Sequence, residues 1–113
     1  MTSKKAQGTR WESAIVTYLL ERGRKAFRVA PAGRFDKGDI HLDDRIVIEA
    51  KAVKKFDLAS FVEQARQEAI HAGKPIGVAV VKRAKKGTAE SYVIITLDDF
   101  VNLIELLEAE NDV

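Results

Sequence analysis

The sequence contains no cysteine, which excludes disulfide bonds and thiolate metal sites. It has only two prolines, and it shows no proline-rich stretch, internal repeat or low-complexity linker. No apolar run approaches the roughly 20 residues that a membrane-spanning helix needs. The polar segment from Met1 to Thr9 lacks the apolar core of a signal peptide. We therefore expect a cytoplasmic, intracellular protein with no membrane partner.

The length and composition fit one globular domain. A chain of 113 residues is too short for two substantial domains. Hydrophobic residues make up 46% of it and charged residues 32%, a balance typical of folded rather than disordered proteins. We expect a single domain over residues 1–113, in which residues 1–8 are flexible.

The two signs of charge are unevenly distributed, although the net charge is only +2. Residues 1–37 contain nine Lys or Arg against three acids, and a second basic run covers residues 82–86. The segment from Leu97 onward has six acids and no base, so the rest of the chain carries about +8. This basic body indicates a polyanionic partner such as nucleic acid. A solvated basic surface is the alternative.

Apolar periodicity and turn-forming residues predict the element order α-β-β-β-α-β-β-α. The first helix is expected over residues 9–22, with Thr9 as its N-cap and Glu12 completing a capping box. The expected strands cover residues 26–30, 39–42, 45–52, 76–81 and 91–96, and the other two helices cover residues 57–72 and the segment from Leu97. This order predicts an α/β fold in which helices flank a mixed β-sheet, with one βαβ crossover.

The third predicted strand places a carboxylate and an amine on the same side of the sheet. Side chains alternate between the two faces of a strand, so Glu49 and Lys51 share a face with Val47. A tight turn at Asp43-Asp44 joins this strand to the preceding one. We therefore expect Asp39 to lie beside Glu49.

These residue types suit phosphodiester hydrolysis, which needs an activated water and neutralisation of developing negative charge. Divalent cations supply both. Mg²⁺ prefers oxygen ligands, so Asp39, Glu49 and the backbone carbonyl of Ala50 are candidate ligands. Lys51 is a candidate for orienting or deprotonating the water, or for stabilising the phosphate. A Glu-x-Lys triplet alone usually marks an exposed strand face, and here the hypothesis depends on the preceding Asp39 and the apolar strand.

The motifs resemble those of a known nuclease family. Gly8-Thr9-Arg10-x-Glu12, Arg28, Gly38-Asp39-Ile40 and Val47-Ile48-Glu49-Ala50-Lys51 are similar to the small Holliday junction resolvases of archaeal and phage type. Those enzymes belong to the PD-(D/E)xK, or restriction-endonuclease-like, superfamily. The resemblance covers residues 8–81.

This resemblance implies a restriction-endonuclease-like fold and a specific set of site residues. It implies that Asp39 and Glu49 bind Mg²⁺ or Mn²⁺ and that Lys51 is the catalytic lysine. Glu12 would complete the metal site, and Gln64 would lie near it on the second helix. A helix cap for Glu12 and a polar surface position for Gln64 are the alternatives.

The same resemblance implies a structure-selective endonuclease that cuts branched DNA, most of all four-way junctions. A junction offers symmetric strands for paired cuts, so we expect a C2 homodimer that uses apolar faces of the first or last helix. Two rival hypotheses are another nuclease of the superfamily (restriction-type, nicking or exonuclease) and a non-catalytic DNA-binding module. The candidate DNA contacts, which solvated charge would also explain, are Arg10, Arg28, Arg34, Lys37, Lys54 and Lys55.

Overall fold

The computed structural model describes residues 4–30 and 36–111. Within those ranges the elements follow in the order α1 (Lys4–Glu21), β1 (Ala26–Arg28), β2 (Ile40–Leu42), β3 (Ile46–Lys51), α2 (Leu58–Ala72), β4 (Ile76–Val81), β5 (Tyr92–Ile94) and α3 (Leu97–Asn111). The predicted order is therefore confirmed. A short 3₁₀ helix, Thr88–Glu90, precedes β5 and was not predicted.

One mixed sheet contains the five strands of the described chain, in the order β1-β2-β3-β4-β5. β3 and β4 are parallel and are connected through α2, whereas the other neighbouring strands are antiparallel. β4 is buried along its whole length, as its almost entirely apolar sequence predicts. The βαβ crossover thus places α2 directly above β3 and β4, where it faces Glu49 and Lys51.

The helices cover the sheet from both sides. On one side Trp11 and Ile15 of α1 are buried against Ile48, and Trp11 Nε1 donates to the Val80 carbonyl oxygen at 3.2 Å. On the other side α2 packs on β4 so closely at Gly77 that a Cβ atom there would overlap the Ala65 backbone. The remaining apolar partners of the α1 side include Leu103 and Leu106 of α3.

The predicted start of α1 is wrong. The helix already includes Lys4, so Thr9 and Glu12 lie inside it and cannot form an N-cap and capping box. Lys, Ala and Gln favour helix, and the cost of Gly8, roughly 1 kcal/mol relative to alanine, does not end it. Residues 4–8, expected to be flexible, form the first turns of this helix.

The start of α2 follows the usual rule for helix capping. Asp57 precedes the helix, and its Oδ1 accepts a hydrogen bond from the Ser60 backbone N at 3.2 Å.

Among the described residues, no helix combines the length and the apolar character that a membrane crossing requires.

Candidate active site

Asp39 lies immediately before β2, beside Glu49 of β3. Ile40 is paired with Ile48 in the antiparallel register, so the residues next to them, Asp39 and Glu49, also face each other. The Asp39 backbone N donates to the Ile48 carbonyl oxygen at 3.1 Å, and Asp39 Oδ2 accepts from the Ala50 backbone N at 2.8 Å. The short hairpin therefore brings the carboxylates of Asp39 and Glu49 together, as the sequence predicts.

Residues 36–38, immediately before Asp39, are constrained by a glycine conformation and by hydrogen bonds. Gly38 has a φ of +93°, and a Cβ atom there would also overlap Val47 Cγ1, so the position requires glycine. Its backbone N donates to Asp36 Oδ1 at 2.9 Å. His71 of α2 reaches the same segment, with Nδ1 3.0 Å from the Asp36 carbonyl oxygen. These contacts fix the direction in which Asp39 enters β2.

On the α2 side of β3, Gln64 connects Glu49 to Lys51. Gln64 Nε2 donates to Glu49 Oε1 at 3.1 Å, and Gln64 Oε1 accepts from Lys51 Nζ at 2.9 Å. Lys51 Nζ also lies 3.3 Å from Glu49 Oε1 and 5.1 Å from the centre of the Phe61 ring. The amine is thus held by three neighbours at a fixed distance from the carboxylate.

The carboxylates are crowded in a poorly solvated place. Glu49 is only 5% exposed, and its Oε2 has no hydrogen-bond partner among the described residues. Burial and the negative charge of Glu49 raise the pKa of Asp39 from 3.8 to about 7, although the Ala50 N–H acts in the opposite direction. Strongly perturbed acids of this kind are typical of functional sites.

Glu12 of α1 is close enough to this cluster for its pKa to respond to the charge of Glu49. Its pKa is raised by burial and by the charge of Glu49, while Arg28, whose Nη2 lies 3.9 Å from Glu12 Oε2, lowers it. The structure therefore brings Glu12 into electrostatic contact with Glu49 and pairs it with a candidate DNA-binding arginine. Asp36, the other acid of the preceding loop, also raises the pKa of Glu12.

No group of three or more His, Cys, Asp or Glu side chains within residues 4–30 and 36–111 is arranged to hold a metal ion as it stands. Mg²⁺ is commonly bound through only one or two carboxylates, with waters completing its coordination. Asp39 and Glu49 meet that smaller requirement. Whether the Ala50 carbonyl is a further ligand stays a prediction.

A further buried carboxylate, Glu68, was not identified from the sequence. It lies one turn after Gln64 in α2 and is 3% exposed. Burial, followed by direct contact with Glu49, raises its pKa to about 10. The sequence signal that could have identified Glu68 is its position in the buried stripe of α2, two turns after Phe61.

Two of the predicted DNA contacts, Arg10 and Lys54, line the same cleft, whose volume is about 820 Å³. The cleft lies between α1, the segment after β3 and the loop that leads to the 3₁₀ helix. Its lining does not include Asp39, Glu49 or Lys51, but Ala52 directly follows β3, the strand that carries Glu49 and Lys51. Further basic and aromatic lining residues are Lys82, Lys86, Trp11 and Phe56.

The other predicted DNA contacts are placed differently. Lys37 and Lys55 are exposed but do not line the cleft. Lys37 belongs to the loop before Asp39, where its carbonyl oxygen lies 2.8 Å from His41 Nε2. Arg28 is close to Glu12 as described above, and Arg34 lies outside the described residues.

Comparisons with protein-family models and with curated protein sequences give no match. Among solved structures the chain is similar to Hjc, a Holliday junction resolvase from the archaeal hyperthermophile Archaeoglobus fulgidus. The TM-score is 0.53 at 22% sequence identity, and the match covers 84% of this chain and 88% of that chain. This likeness shows that the chain has an α/β fold of the kind found in Hjc, with a mixed five-stranded sheet flanked by three helices.

Proposed function

We propose that this protein is a Mg²⁺-dependent endonuclease of the PD-(D/E)xK type that cuts branched DNA, in particular four-way junctions. One observation carries the proposal. Asp39, Glu49 and Lys51 meet in a poorly solvated site in which Glu49 Oε2 lacks a hydrogen-bond partner within the described chain. The similarity of the fold to that of a junction resolvase supports the choice of substrate.

The donor set fits a hard divalent cation. Asp39 and Glu49 would hold Mg²⁺, or Mn²⁺ in its place, and Glu12 and the Ala50 carbonyl are the further candidate ligands. Crowded carboxylates that repel each other when empty favour a cation strongly. When bound, the cation neutralises charge on the scissile phosphate and increases the acidity of a coordinated water.

Lys51 supplies a positive charge beside the reacting phosphate. Its Nζ is held by Gln64 and Glu49, so little movement is needed before it can donate a hydrogen bond. A donor fixed in advance stabilises developing negative charge more effectively than a mobile one. The proposed role of Lys51 is therefore to orient the attacking water or to stabilise the phosphate oxygens, and Gln64 positions it.

The basic cleft next to the site gives DNA a place to bind. Arg10 and Lys54 line it together with Lys82 and Lys86, so the phosphate backbone would meet several cations beside the end of β3. Arg28, beside Glu12, and Lys37, in the loop before Asp39, add positive charge near the carboxylates, and Lys55 is a further exposed cation after β3. This distribution supports the binding of a strand that passes from the cleft to the cutting site.

A homodimer would bring two such sites to one junction. The outer face of α3 exposes large apolar side chains at helical spacing, which is typical of a surface that another chain covers. We propose this surface as the C2 interface, and define it as the α3 surface: Leu97, Phe100, Val101, Ile104 and Leu107.

A panel of DNA substrates tests the proposed function against its two rivals. The wild-type protein with Mg²⁺ is incubated with a four-way junction, a flap, a linear duplex and a single strand. We expect paired cuts in the junction and little cutting of the other three. Equal cutting of the linear duplex would instead identify another nuclease of the superfamily. Binding of the junction without any cutting would identify a non-catalytic DNA-binding module.

A further inference from the structure

Glu68 is a buried acid that the proposed cutting reaction does not use. It lies on α2 and is 3% exposed, and apart from the neighbouring carboxyl group of Glu49 its two oxygens have no hydrogen-bond partner within the described residues. An ionised carboxylate in this position would lose its hydration without gaining a donor, which destabilises the folded protein. The burial of this acid therefore requires a physical explanation.

The acid that acts most strongly on Glu68 is Glu49. After burial, a side-chain hydrogen bond with Glu49 is the strongest influence on the Glu68 carboxyl group, and Asp36 and Asp39 add further negative charge. Glu49 Oε1 already has both Gln64 and Lys51 as partners. Glu49 Oε2 has none, so this atom and the two oxygens of Glu68 are buried acceptors for which the described residues supply no donor other than the two carboxyl groups themselves.

A divalent cation satisfies such a group better than a proton does. One proton shared between two carboxyl groups serves two of the three oxygens and cancels one charge. A cation accepts electron pairs from oxygens of both groups at once and cancels two charges. An uncharged residue would also have suited the buried stripe of α2, since both Phe61 and Ala65 on that face are apolar.

We propose that Glu68 is a ligand of a divalent cation, which its carboxylate would hold together with that of Glu49 on the α2 side of β3. Glu49 would then act as a cation ligand together with Asp39 on the hairpin side and with Glu68 on the helix side. The inference rests on the proposed function, because Glu49 is a ligand in both. It adds an acid from α2 to the three acids that the resemblance implies.

Binding of Mn²⁺ alone, measured by isothermal titration calorimetry, tests this proposal without any cutting reaction. The test variant is Glu68→Gln, which keeps the shape and can still donate a hydrogen bond to Glu49. The matched control is Glu63→Gln, an exposed glutamate on the same helix. We expect Glu68→Gln to weaken Mn²⁺ binding by about 10-fold or more, or to remove one bound ion, while the control binds like the wild type.

A merely structural role for Glu68 gives a different result. Because the amide can replace the hydrogen bond of a protonated acid, Glu68→Gln would then bind Mn²⁺ like the wild type, and this outcome would overturn the proposal. If Glu68→Gln fails to fold, Glu68→Asp replaces it, because the shorter acid keeps its charge but withdraws from Glu49. Unchanged Mn²⁺ binding by Glu68→Asp would overturn the proposal equally.

Junction cleavage in parallel separates this proposal from the proposed function. If the wild type binds Mn²⁺ through Glu68 but cuts no DNA, the proposed function fails and the cation site stands. If the wild type cuts junctions and Glu68→Gln binds Mn²⁺ normally, only the role of Glu68 fails. A wild-type protein that binds no Mn²⁺ overturns the role of Glu68 in any case.

Discussion

The fold holds three acidic residues in places where their ionised forms are poorly solvated: Asp39, Glu49 and Glu68. The chain places three acids close together and gives Glu49 Oε2 and both oxygens of Glu68 no donor in the described residues. Like charges in a poorly solvated site repel, so in the absence of a cation these residues reduce the stability of the folded protein. Such a loss of stability is what the proposed function predicts, because the acids of a cation site are stabilised only when the cation is bound.

The pH dependence of stability tests this view at Asp39. Its pKa rises from 3.8 to about 7 on folding, so the folded state binds the proton more tightly than the unfolded state. The stability from this proton is fully present below about pH 4 and is lost as the pH rises to about 7. In EDTA, Asp39→Asn should therefore match the wild-type Tm near pH 4 and exceed it by several degrees at pH 8.

Thermal unfolding followed by circular dichroism measures this difference at each pH. The control is Asp44→Asn, which removes an exposed acid from a turn whose positive φ asparagine tolerates. The control should show no comparable rise between pH 4 and pH 8. A Tm difference for Asp39→Asn that stays constant over this range would contradict the raised pKa.

Gln64 is the residue whose role depends most on side-chain geometry. It is hydrogen-bonded to both Lys51 and Glu49, so Gln64→Ala leaves both side chains less well oriented. We expect junction cleavage to fall by about 10- to 100-fold while junction affinity stays unchanged. Gln67→Ala, an exposed neighbour on the same helix, is the control for single-turnover cleavage and filter binding. Equal activity of the two variants would remove Gln64 from the site.

At the scale of elements, alternation along β3 was enough to predict the shared face of Glu49 and Lys51. Hairpin distance predicted Asp39 beside Glu49, and the register confirms this neighbourhood. Both predictions succeeded because side-chain direction in a strand follows from local geometry alone. The packing of α1 and α2 on the sheet is not local, so no pattern in the residues themselves placed Glu12 or Gln64 near the carboxylates.

Glu68 escaped prediction for a related reason. Helical periodicity assigns polar residues to the solvent and apolar residues to the core. It therefore does not predict that a single acid in the buried stripe has a role of its own. Only the close packing of α2 on β3 shows that this acid meets Glu49. The start of α1 was wrong for the opposite reason, since a plausible N-cap at Thr9 did not interrupt a run of good helix formers.

Gly38 is the backbone position on which the placement of Asp39 depends. Alanine at Gly38 would meet both a φ of +93° and overlap with Val47 Cγ1. Gly23 has a similar φ of +79° but open space around it, so Gly23→Ala measures the cost of the positive φ alone. We expect Gly23→Ala to reduce the free energy of unfolding by about 1–2 kcal/mol, and Gly38→Ala by about 1–3 kcal/mol more.

Urea unfolding of the two alanine variants measures this difference directly. Gly38→Ala should also lose cleavage activity out of proportion to its stability, because the shifted loop moves Asp39 away from Glu49. Equal unfolding free energies for the two variants would show that Val47 does not restrict the loop as the structure indicates.

At the scale of the whole molecule, opposite charges occupy separate regions. The basic cleft lies next to the end of β3, whereas every charged residue of α3 is an acid and the helix exposes an apolar face. Under the proposed function, the cleft and the carboxylate site would bind DNA, and the α3 surface would bind a second copy of the chain. The two surfaces are therefore expected to respond independently to substitution.

The double variant Phe100→Glu/Ile104→Glu tests the α3 surface. Both side chains are exposed, at 47% and 39%, so the substitutions should change the stability of one chain by less than about 1 kcal/mol. Light scattering should find a dimer for the wild type and a monomer for the variant, whose paired cuts in a junction become uncoupled. Glu108→Gln on the same helix is the control. A wild-type monomer that still makes paired cuts would contradict the dimer.

The most direct test of the central claim is cleavage of a synthetic four-way junction, with and without Mg²⁺, beside a linear duplex of matched sequence. The wild type and Glu49→Gln are compared at equal concentration. We predict Mg²⁺-dependent cutting of the junction by the wild type and little cutting of the duplex. Glu49→Gln should lose activity by about 100-fold or more, because it lacks a cation ligand. Cleavage that is unchanged in Glu49→Gln, or equally fast without Mg²⁺, would contradict the account.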